Sequence, residues 1–137
     1  MDLPDDVGAR GRLALSAPLV RFLGAELVED QGGKLEVCFT VDDNALNAVG
    51  GLHGGAIAMV LETAAYLAVV SQLAPDEEAT THAFAASYLA APERGERLLA
   101  SGTLLRRTRR MAFVNAELRA RSALIAVATV TKTIHAR

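Results

Sequence analysis

The sequence predicts an α+β domain in which an antiparallel sheet of about five to six strands wraps around one long central helix. Three observations support this fold class. Apolar residues of the segment 54–73 go nearly all the way round a helix, so this helix must be enclosed on most sides. Segments with strand-like alternation flank it in the sequence. Finally, 137 residues are enough for one core and too few for two comfortable domains.

The chain before the long helix begins with a segment whose composition is typical of a loose arm. Residues 1–14 are rich in Gly, Arg and Asp, and we expect a flexible arm there, followed by a single domain over residues 15–137. A short helix is expected over residues 16–23. The Ser16 hydroxyl can cap its first turn, and Pro18 fits that turn without loss of a hydrogen bond.

Strands account for most of the remaining chain. Alternation of apolar and polar residues around the turn Gln31-Gly32-Gly33 predicts a hairpin before the long helix, and further strands are expected after it. The long helix is expected to end near Ala74-Pro75, because proline disfavours a helical conformation in the preceding residue. The predicted strands are residues 25–30, 34–41, 80–90, 96–107, 110–121 and 122–134.

Composition and motifs exclude several classes of protein. The net charge of -2 gives no general attraction for nucleic acid. The single cysteine, Cys38, excludes an internal disulfide framework, and with three scattered histidines it offers no metal-ligand spacing, so no metal and no cofactor are expected. Glu62 near the centre of the longest apolar run argues against a membrane span. Residues 1–6 show no secretory signal pattern, and we expect a cytoplasmic location.

Two features of the long helix indicate chemistry. Glu62 is the one charged residue between positions 56 and 70, and a buried carboxylate without a partner costs several kcal/mol, which a catalytic role would explain. His53-Gly54-Gly55 stands at the helix start, where unpaired N–H groups and the helix dipole favour a negative oxygen. The tripeptide is also compatible with a simple loop-to-helix turn, and Glu62 with a structural hydrogen bond across a dimer.

These two features belong to a longer pattern that resembles a known family. The pattern is similar to the signature of hotdog-fold acyl-CoA thioesterases of the phenylacetyl-CoA and 4-hydroxybenzoyl-CoA type, also called PaaI-like, and the resemblance extends over residues 22–134. The residues that carry it are Asn47-Ala48-Val49-Gly50-Gly51-Leu52-His53-Gly54-Gly55-Ala56, Glu62-Thr63-Ala64, Tyr88-Leu89-Ala90-Ala91-Pro92, Gly95-Glu96 and Val127-Ala128-Thr129.

The resemblance implies a hotdog fold and hydrolysis of an aromatic or medium-chain acyl-CoA to a free acid and CoA. Carried over by position, Glu62 is the nucleophile or general base, and the Gly54 backbone N–H polarises the thioester carbonyl. Asn47 and His53 position the acyl carbonyl or water. Glutamate rather than aspartate at position 62 is closer to the family members that act on hydroxybenzoyl- and dihydroxynaphthoyl-type thioesters.

Further residues are expected to bind the substrate. The family often places a hydroxyl group one helical turn after the acid, where this chain has Tyr66, or on the following strand, where Thr81 is the nearest match. Gly55 lies beside the proposed carbonyl donor. Four arginines surround a predicted turn, and guanidinium groups pair well with the phosphates of CoA, although a solvated turn is an alternative. These are Arg106, Arg107, Arg109 and Arg110.

Helix geometry predicts that two chains share the site. Gly54 and Glu62 are eight residues apart, which places them about 12 Å apart along the helix axis. Both must come within about 3 Å of the reacting group, so the acid must come from the helix of a second chain. We therefore expect a homodimer with an inactive monomer. The resemblance implies further pairing of dimers into a tetramer.

Two other functions are compatible with the same residues. A non-catalytic hotdog module would bind acyl-CoA through Gly54 and the arginines, and Glu62 would be dispensable. A hotdog hydratase or dehydratase also opposes a histidine and an acid across a dimer, but this chain lacks the proline-rich approach to the helix expected there. Release of free CoA distinguishes the thioesterase from both.

Overall fold

The structure, a computed structural model, describes residue 4, residues 6–121 and residues 123–137. Within these residues it contains three α-helices and six strands, with a short 3₁₀ turn at Asp43–Ala45. The elements are α1 (Val7–Leu15), α2 (Pro18–Phe22), β1 (Glu26–Glu29), β2 (Leu35–Thr40), α3 (Gly54–Val70), β3 (Glu77–Tyr88), β4 (Arg97–Arg107), β5 (Met111–Ala120) and β6 (Ala123–Ala136).

The six strands form one antiparallel sheet in the order β1-β2-β4-β5-β6-β3. Helix α3 packs along this sheet, mainly against β4, β5 and β2. Val60, Leu61 and Ala64 on the helix are completely buried, in the same core cluster as Leu98 and Leu118 of the sheet. The predicted α+β architecture, with one long helix against five to six antiparallel strands, is confirmed.

The boundaries of the central elements agree closely with those predicted. The hairpin forms between β1 and β2, with Leu27 opposite Val37. Helix α3 begins at Gly54 as expected and ends at Val70, three residues before the predicted end at residue 73. The last turn is tightened where the Gln72 N–H bonds to the Val69 carbonyl.

The N-terminal segment differs from the flexible arm expected over residues 1–14. Residues 7–15 form α1, whose first turn is capped by Asp6, since its carboxylate accepts the Ala9 N–H at 2.7 Å. Gly11 in this helix is buried close to Leu35 of β2. The arm is therefore wrong for residues 7–14, while residues 1–3 and 5 lie outside the described part of the chain.

A buried arginine explains why α1 is held in place. Arg10 is only 2% exposed, and its Nη2 donates to the carbonyl oxygens of Ala74 and Pro75 at 3.2 and 3.0 Å. Its Nε donates to the Pro4 carbonyl at 2.9 Å. The side chain thus fastens α1 to the segment that follows α3. An arginine in a Gly- and Arg-rich run resembles a solvated residue, which is why the sequence interpretation missed this contact.

Ser16 closes α1 instead of opening the next helix. Its hydroxyl donates to the Leu13 carbonyl at 2.6 Å, and its N–H bonds back into the last turn of α1. Helix α2 begins at Pro18, with Ala17 in the capping position and no side-chain cap. Proline at the first helical position forces the residue before it to be extended, so the cap falls on Ala17. The predicted cap at Ser16 and the start at residue 16 are therefore wrong.

Strand β3 forms one edge of the sheet and pairs with β6 alone. Most of its residues are exposed in the single chain, from Thr80 to Ala83 and again at Ala85, Ser87 and Tyr88. An edge strand presents unpaired backbone groups along its free side, which makes it a natural surface for association.

Within the described residues, no helix is both long and apolar enough to cross a membrane.

Candidate active site

The N-terminus of α3 carries one unpaired backbone donor. The carbonyl oxygen of His53 accepts the N–H groups of Ala56 and Ile57 at 3.0 and 3.2 Å. Its ring Nδ1 accepts the Gly55 N–H at 2.8 Å. The Gly54 N–H, in contrast, makes no hydrogen bond to any residue that the structure describes. It lies at the positive end of the helix dipole and is available to a carbonyl oxygen.

His53 itself is an exposed helix cap. Because Nδ1 accepts a hydrogen bond, the neutral ring carries its proton on Nε2. The structure therefore assigns the ring's Nδ1 to the helix and leaves an N–H donor on its other side. The predicted role of His53 in positioning a carbonyl or water remains a prediction, and that role falls to Nε2.

Tyr88 lies against Gly54 and was not predicted as a site residue. Its hydroxyl donates to the Gly54 carbonyl at 3.0 Å. A Cβ atom on residue 54 would lie 3.0 Å from the Tyr88 ring, so glycine allows this close approach. The signal in the sequence is weak, because an aromatic residue at the end of a strand is common. Tyr88 is 51% exposed and lies beside Gly54 at the start of α3.

Asn47 shapes the loop that leads into α3. Its Oδ1 accepts the N–H groups of Val49 and Gly51, both at 3.0 Å. Its own N–H donates to the Gly51 carbonyl at 2.7 Å, and Gly50 takes a φ of +84°, a conformation that favours glycine. The side-chain oxygen is thus used by the loop. A direct contact of Asn47 with substrate stays a prediction.

Glu62 lies on the middle of α3, and its side chain is 31% exposed. The expectation of a fully buried, unpartnered carboxylate is therefore corrected. Both carboxylate oxygens accept the Thr81 hydroxyl, with a distance of 2.6 Å to Oε2. Oε1 also lies 3.3 Å from the Lys132 ammonium. The carboxylate combines fixed partners on one side with access to solvent on the other.

Strand register explains how Thr81 and Lys132 reach this carboxylate. Thr81 on β3 is directly opposite Lys132 on β6. The register then shifts between Thr81 and Ala83, so His82 forms a bulge. A bulge reverses the alternation along a strand, which directs both Thr81 and the later Phe84 to the side of α3. The sequence interpretation named Thr81 but missed Lys132.

Tyr66 is close to this group but bonds elsewhere. One helical turn after Glu62, its hydroxyl donates to Oε2 of Glu78 at 3.3 Å. Burial, with the charge and hydrogen bond of Glu78, raises the pKa of Tyr66 to about 12. The Lys132 ammonium lies 5.8 Å from the centre of its ring. The structure thus places Tyr66 as a wall beside Lys132, and its role in binding substrate stays a prediction.

The four predicted phosphate-binding arginines divide into two groups. Arg107 forms an ion pair with Glu77, and the Ala74 N–H and then Arg107 lower the pKa of that carboxyl group. The other three are exposed at the turn between β4 and β5. This turn lies near the pair of Glu62 and Lys132, because Ala112 at the start of β5 pairs with Lys132. The exposed arginines are Arg106, Arg109 and Arg110.

A depression of about 310 Å³ borders the start of α3. It has mostly apolar walls from α2 and from the loop before α3, and its polar edge includes His53 and Gly55. The apolar lining of this depression consists of Leu19, Phe22, Leu23, Ala45, Leu46 and Ala56.

Within the described residues, no three His, Cys, Asp or Glu side chains group closely enough to hold a metal ion.

The residues predicted to act on the thioester therefore form two separate groups along α3. Asn47, His53 and Gly54 lie at its N-terminus, with Gly55. Glu62 lies two turns later with Thr81 and Lys132. The two groups are about 12 Å apart along the axis, so one chain does not bring them together.

The sequence matches the model of the Thioesterase superfamily over residues 49–131, more than half of the chain. The chain therefore belongs to the thioesterase superfamily, and it is a thioester hydrolase. The predicted family is confirmed. Among curated proteins, no sequence gives a significant match.

Solved structures share the fold over nearly the whole chain. A thioesterase from Haemophilus influenzae has a TM-score of 0.83 at 20% identity, covering 98% of this chain and 94% of that one. A Bacillus halodurans protein with CoA has a TM-score of 0.82 at 21% identity, covering 96% and 90%. A phenylacetic acid degradation-related protein from Ralstonia eutropha has a TM-score of 0.78 at 26% identity, covering 93% and 98%. The predicted hotdog fold is confirmed.

Proposed function

We propose that the chain hydrolyses an acyl-CoA to a free acid and CoA, with Gly54 and Glu62 as the catalytic residues. One observation carries the proposal: the same helix offers an unpaired N–H at Gly54 and a partly exposed carboxylate at Glu62. Hydrolysis of a thioester needs a donor for the carbonyl oxygen and a base or nucleophile for the attack. Both groups are present, and both are accessible.

The proposed site joins two chains. Along one helix, the Gly54 N–H and the Glu62 carboxylate are too far apart to act on the same thioester. A two-fold dimer that places the helices side by side brings Gly54 of one chain to Glu62 of the other, and forms two identical sites. The exposed edge of β3 supports such pairing, because Thr81 on that strand adjoins Glu62.

In the proposed reaction, the Gly54 N–H donates to the thioester oxygen and stabilises the negative charge that develops there. Glu62 either removes a proton from the attacking water or attacks the carbonyl carbon itself, giving an anhydride that water hydrolyses. In both routes the C–S bond breaks, and the CoA sulfur leaves with the electron pair and takes up a proton. In the general-base route the oxygen of water ends in the free acid; in the anhydride route it ends in the free acid or in the Glu62 carboxylate, according to which carbonyl carbon water attacks. No cofactor enters these steps.

We propose an aromatic or medium-chain acyl group. The depression beside the start of α3 has an apolar wall that includes Leu19 and Phe22, and its lining includes Gly55, the residue next to the proposed carbonyl donor Gly54. Such a wall favours an apolar acyl group over acetate. The Bacillus halodurans structure with CoA and the phenylacetic acid degradation-related protein support a CoA thioester of this kind.

The test is thiol release by the purified chain from phenylacetyl-, 4-hydroxybenzoyl-, hexanoyl- and acetyl-CoA, with mass spectrometry of the products. We expect equal amounts of CoA and free acid, with kcat/KM highest for an aromatic or hexanoyl substrate. Binding of these compounds without thiol release would contradict the proposal and favour a binding module. Addition of water to an unsaturated acyl-CoA without thiol release would contradict it in favour of a hydratase.

The three exposed arginines provide a prediction about CoA recognition. Replacing Arg106, Arg109 and Arg110 together by alanine is expected to raise KM for acyl-CoA about ten-fold, with little change in kcat, because the phosphates lose their charged partners. The same acyl group on N-acetylcysteamine, which has no phosphate, should show no change. Arg12→Ala, at an exposed arginine on α1, is the matched control. Equal effects on both substrates would contradict phosphate binding at this turn.

A further inference from the structure

Lys132 is a buried ammonium group that the proposed reaction has not yet used. Its side chain is 4% exposed, on the face of β6 that also carries the buried Val130 and Ile134. Burying an unpaired charge is costly, so its contacts must compensate for lost water. These contacts are the Thr81 hydroxyl at 2.9 Å, the Glu62 carboxylate at 3.3 Å and the face of the Tyr66 ring.

The chemistry of these groups fixes the direction of each hydrogen bond. An ammonium group can only donate, and an ionised carboxylate can only accept. The Thr81 hydroxyl must therefore accept from Lys132 and give its single proton to Glu62. This series of hydrogen bonds ends on the carboxylate. All of its donors and acceptors are used in these directions only when Glu62 carries a negative charge. A protonated Glu62 would lose part of the arrangement.

We propose that Lys132 is a positioning residue that acts through Thr81 and by its own charge to hold Glu62 in the ionised, oriented form used in the reaction. The inference rests on the proposed function, since it assigns a purpose to Glu62. Lys132 does not touch the substrate, because it lies beneath the carboxylate and is buried. Its contacts occupy one side of Glu62 and leave the other side open.

Neighbouring charges are consistent with this assignment. The titratable groups that face Lys132 are Glu62 and Tyr66 on α3 and Glu78 on β3, while its register partner on β5 is the uncharged Ala112. Burial lowers the pKa of Lys132, and the charges of Glu62 and Glu78 oppose this. Tyr66, with its raised pKa, stays neutral near pH 7. The charge of Lys132 is therefore balanced by carboxylates.

The test compares Lys132→Met with Lys34→Met, which makes the same change at the other lysine of the chain, an exposed residue. Loss of the buried charge disfavours the ionised form of Glu62. We therefore expect the acid limb of the kcat/KM–pH profile to move to higher pH. The NMR signal of the Glu62 carboxyl carbon can be identified because it is lost in Glu62→Gln. The pH midpoint of its titration should move in the same direction, without any substrate. Lys34→Met should leave both unchanged.

A second pair of variants tests the hydrogen bonds from Lys132 through Thr81 to Glu62, even if Lys132→Met does not fold. Thr81→Val removes the hydroxyl and should shift the acid limb in the same direction, whereas Thr81→Ser keeps it and should remain near native. A folded Lys132→Met protein with native pH profile and native carboxyl titration would overturn the inference, as would native profiles for Thr81→Val. If the native chain releases no thiol, the proposed function fails, and the carboxyl titration still decides the role of Lys132.

Discussion

Replacing Glu62 by glutamine is expected to lower kcat/KM for acyl-CoA hydrolysis by about 10²–10⁴-fold. Glutamine keeps the length of the side chain and an oxygen that accepts from Thr81 and Lys132, but it cannot act as a base or as a carboxylate nucleophile. Thiol release from the best substrate measures the loss, and circular dichroism checks the fold. A variant that keeps more than about a tenth of native activity would contradict the assignment of Glu62.

The two-chain site can be tested by pairing this variant with a second inactive one. Gly54→Pro removes the proposed donor, and its expected loss is about 10²–10³-fold. Proline suits the first helical position, and His53 before it is already extended, with φ of -68° and ψ of 132°. The three heavy atoms nearest to an added Cβ belong to the exposed Tyr88 side chain, and no described hydrogen bond is lost.

Mixing the two inactive chains under conditions that exchange subunits should restore activity. Half of randomly assembled dimers contain one chain of each kind, and one of the two sites in each has both Gly54 and Glu62. Activity should therefore return to about a quarter of the native value. A site formed within one chain predicts no recovery, so a mixture as inactive as its components would contradict the shared site.

The sequence predicted the central part of the fold well, because periodicity there reflects burial directly. Helix α3 is apolar nearly all round, and its start at Gly54 is defined by the glycine pair after His53. The N-terminal region was harder to predict. Arg10 makes its contacts with Ala74 and Pro75, which are far away in the sequence. No local sequence pattern therefore predicts that α1 packs against the segment after α3.

The candidate site shows the same division. Glu62 and the Gly54 turn stand out locally, but Lys132 becomes a neighbour of Glu62 only through the pairing of β3 with β6. One signal was present: Lys132 shares the alternation of Ala128, Val130 and Ile134, which are all buried. A lysine in an inward position predicts a buried partner. Which partner it meets depends on the bulge at His82, and single-sequence periodicity does not reveal a bulge.

Gly102→Ala is expected to lower the free energy of unfolding by about 1–3 kcal/mol or more. A Cβ atom at this position of β4 would lie 2.5 Å from the Ala64 carbonyl oxygen and 2.9 Å from the Ala68 Cβ, both on α3. The carbonyl belongs to the helix backbone and cannot rotate away, so the helix itself must move from the sheet. Urea denaturation of the variant and the native chain measures the loss.

The controls for Gly102→Ala separate the backbone clash from other effects of adding a methyl group. Gly32→Ala makes the same change in the exposed turn between β1 and β2, and its stability should remain near native. Adding Ala68→Gly to Gly102→Ala removes one contact but leaves the Ala64 carbonyl, so it should not restore stability. Because α3 carries both Gly54 and Glu62, the displaced helix should also lower kcat/KM. Native stability of Gly102→Ala would contradict this close packing of helix and sheet.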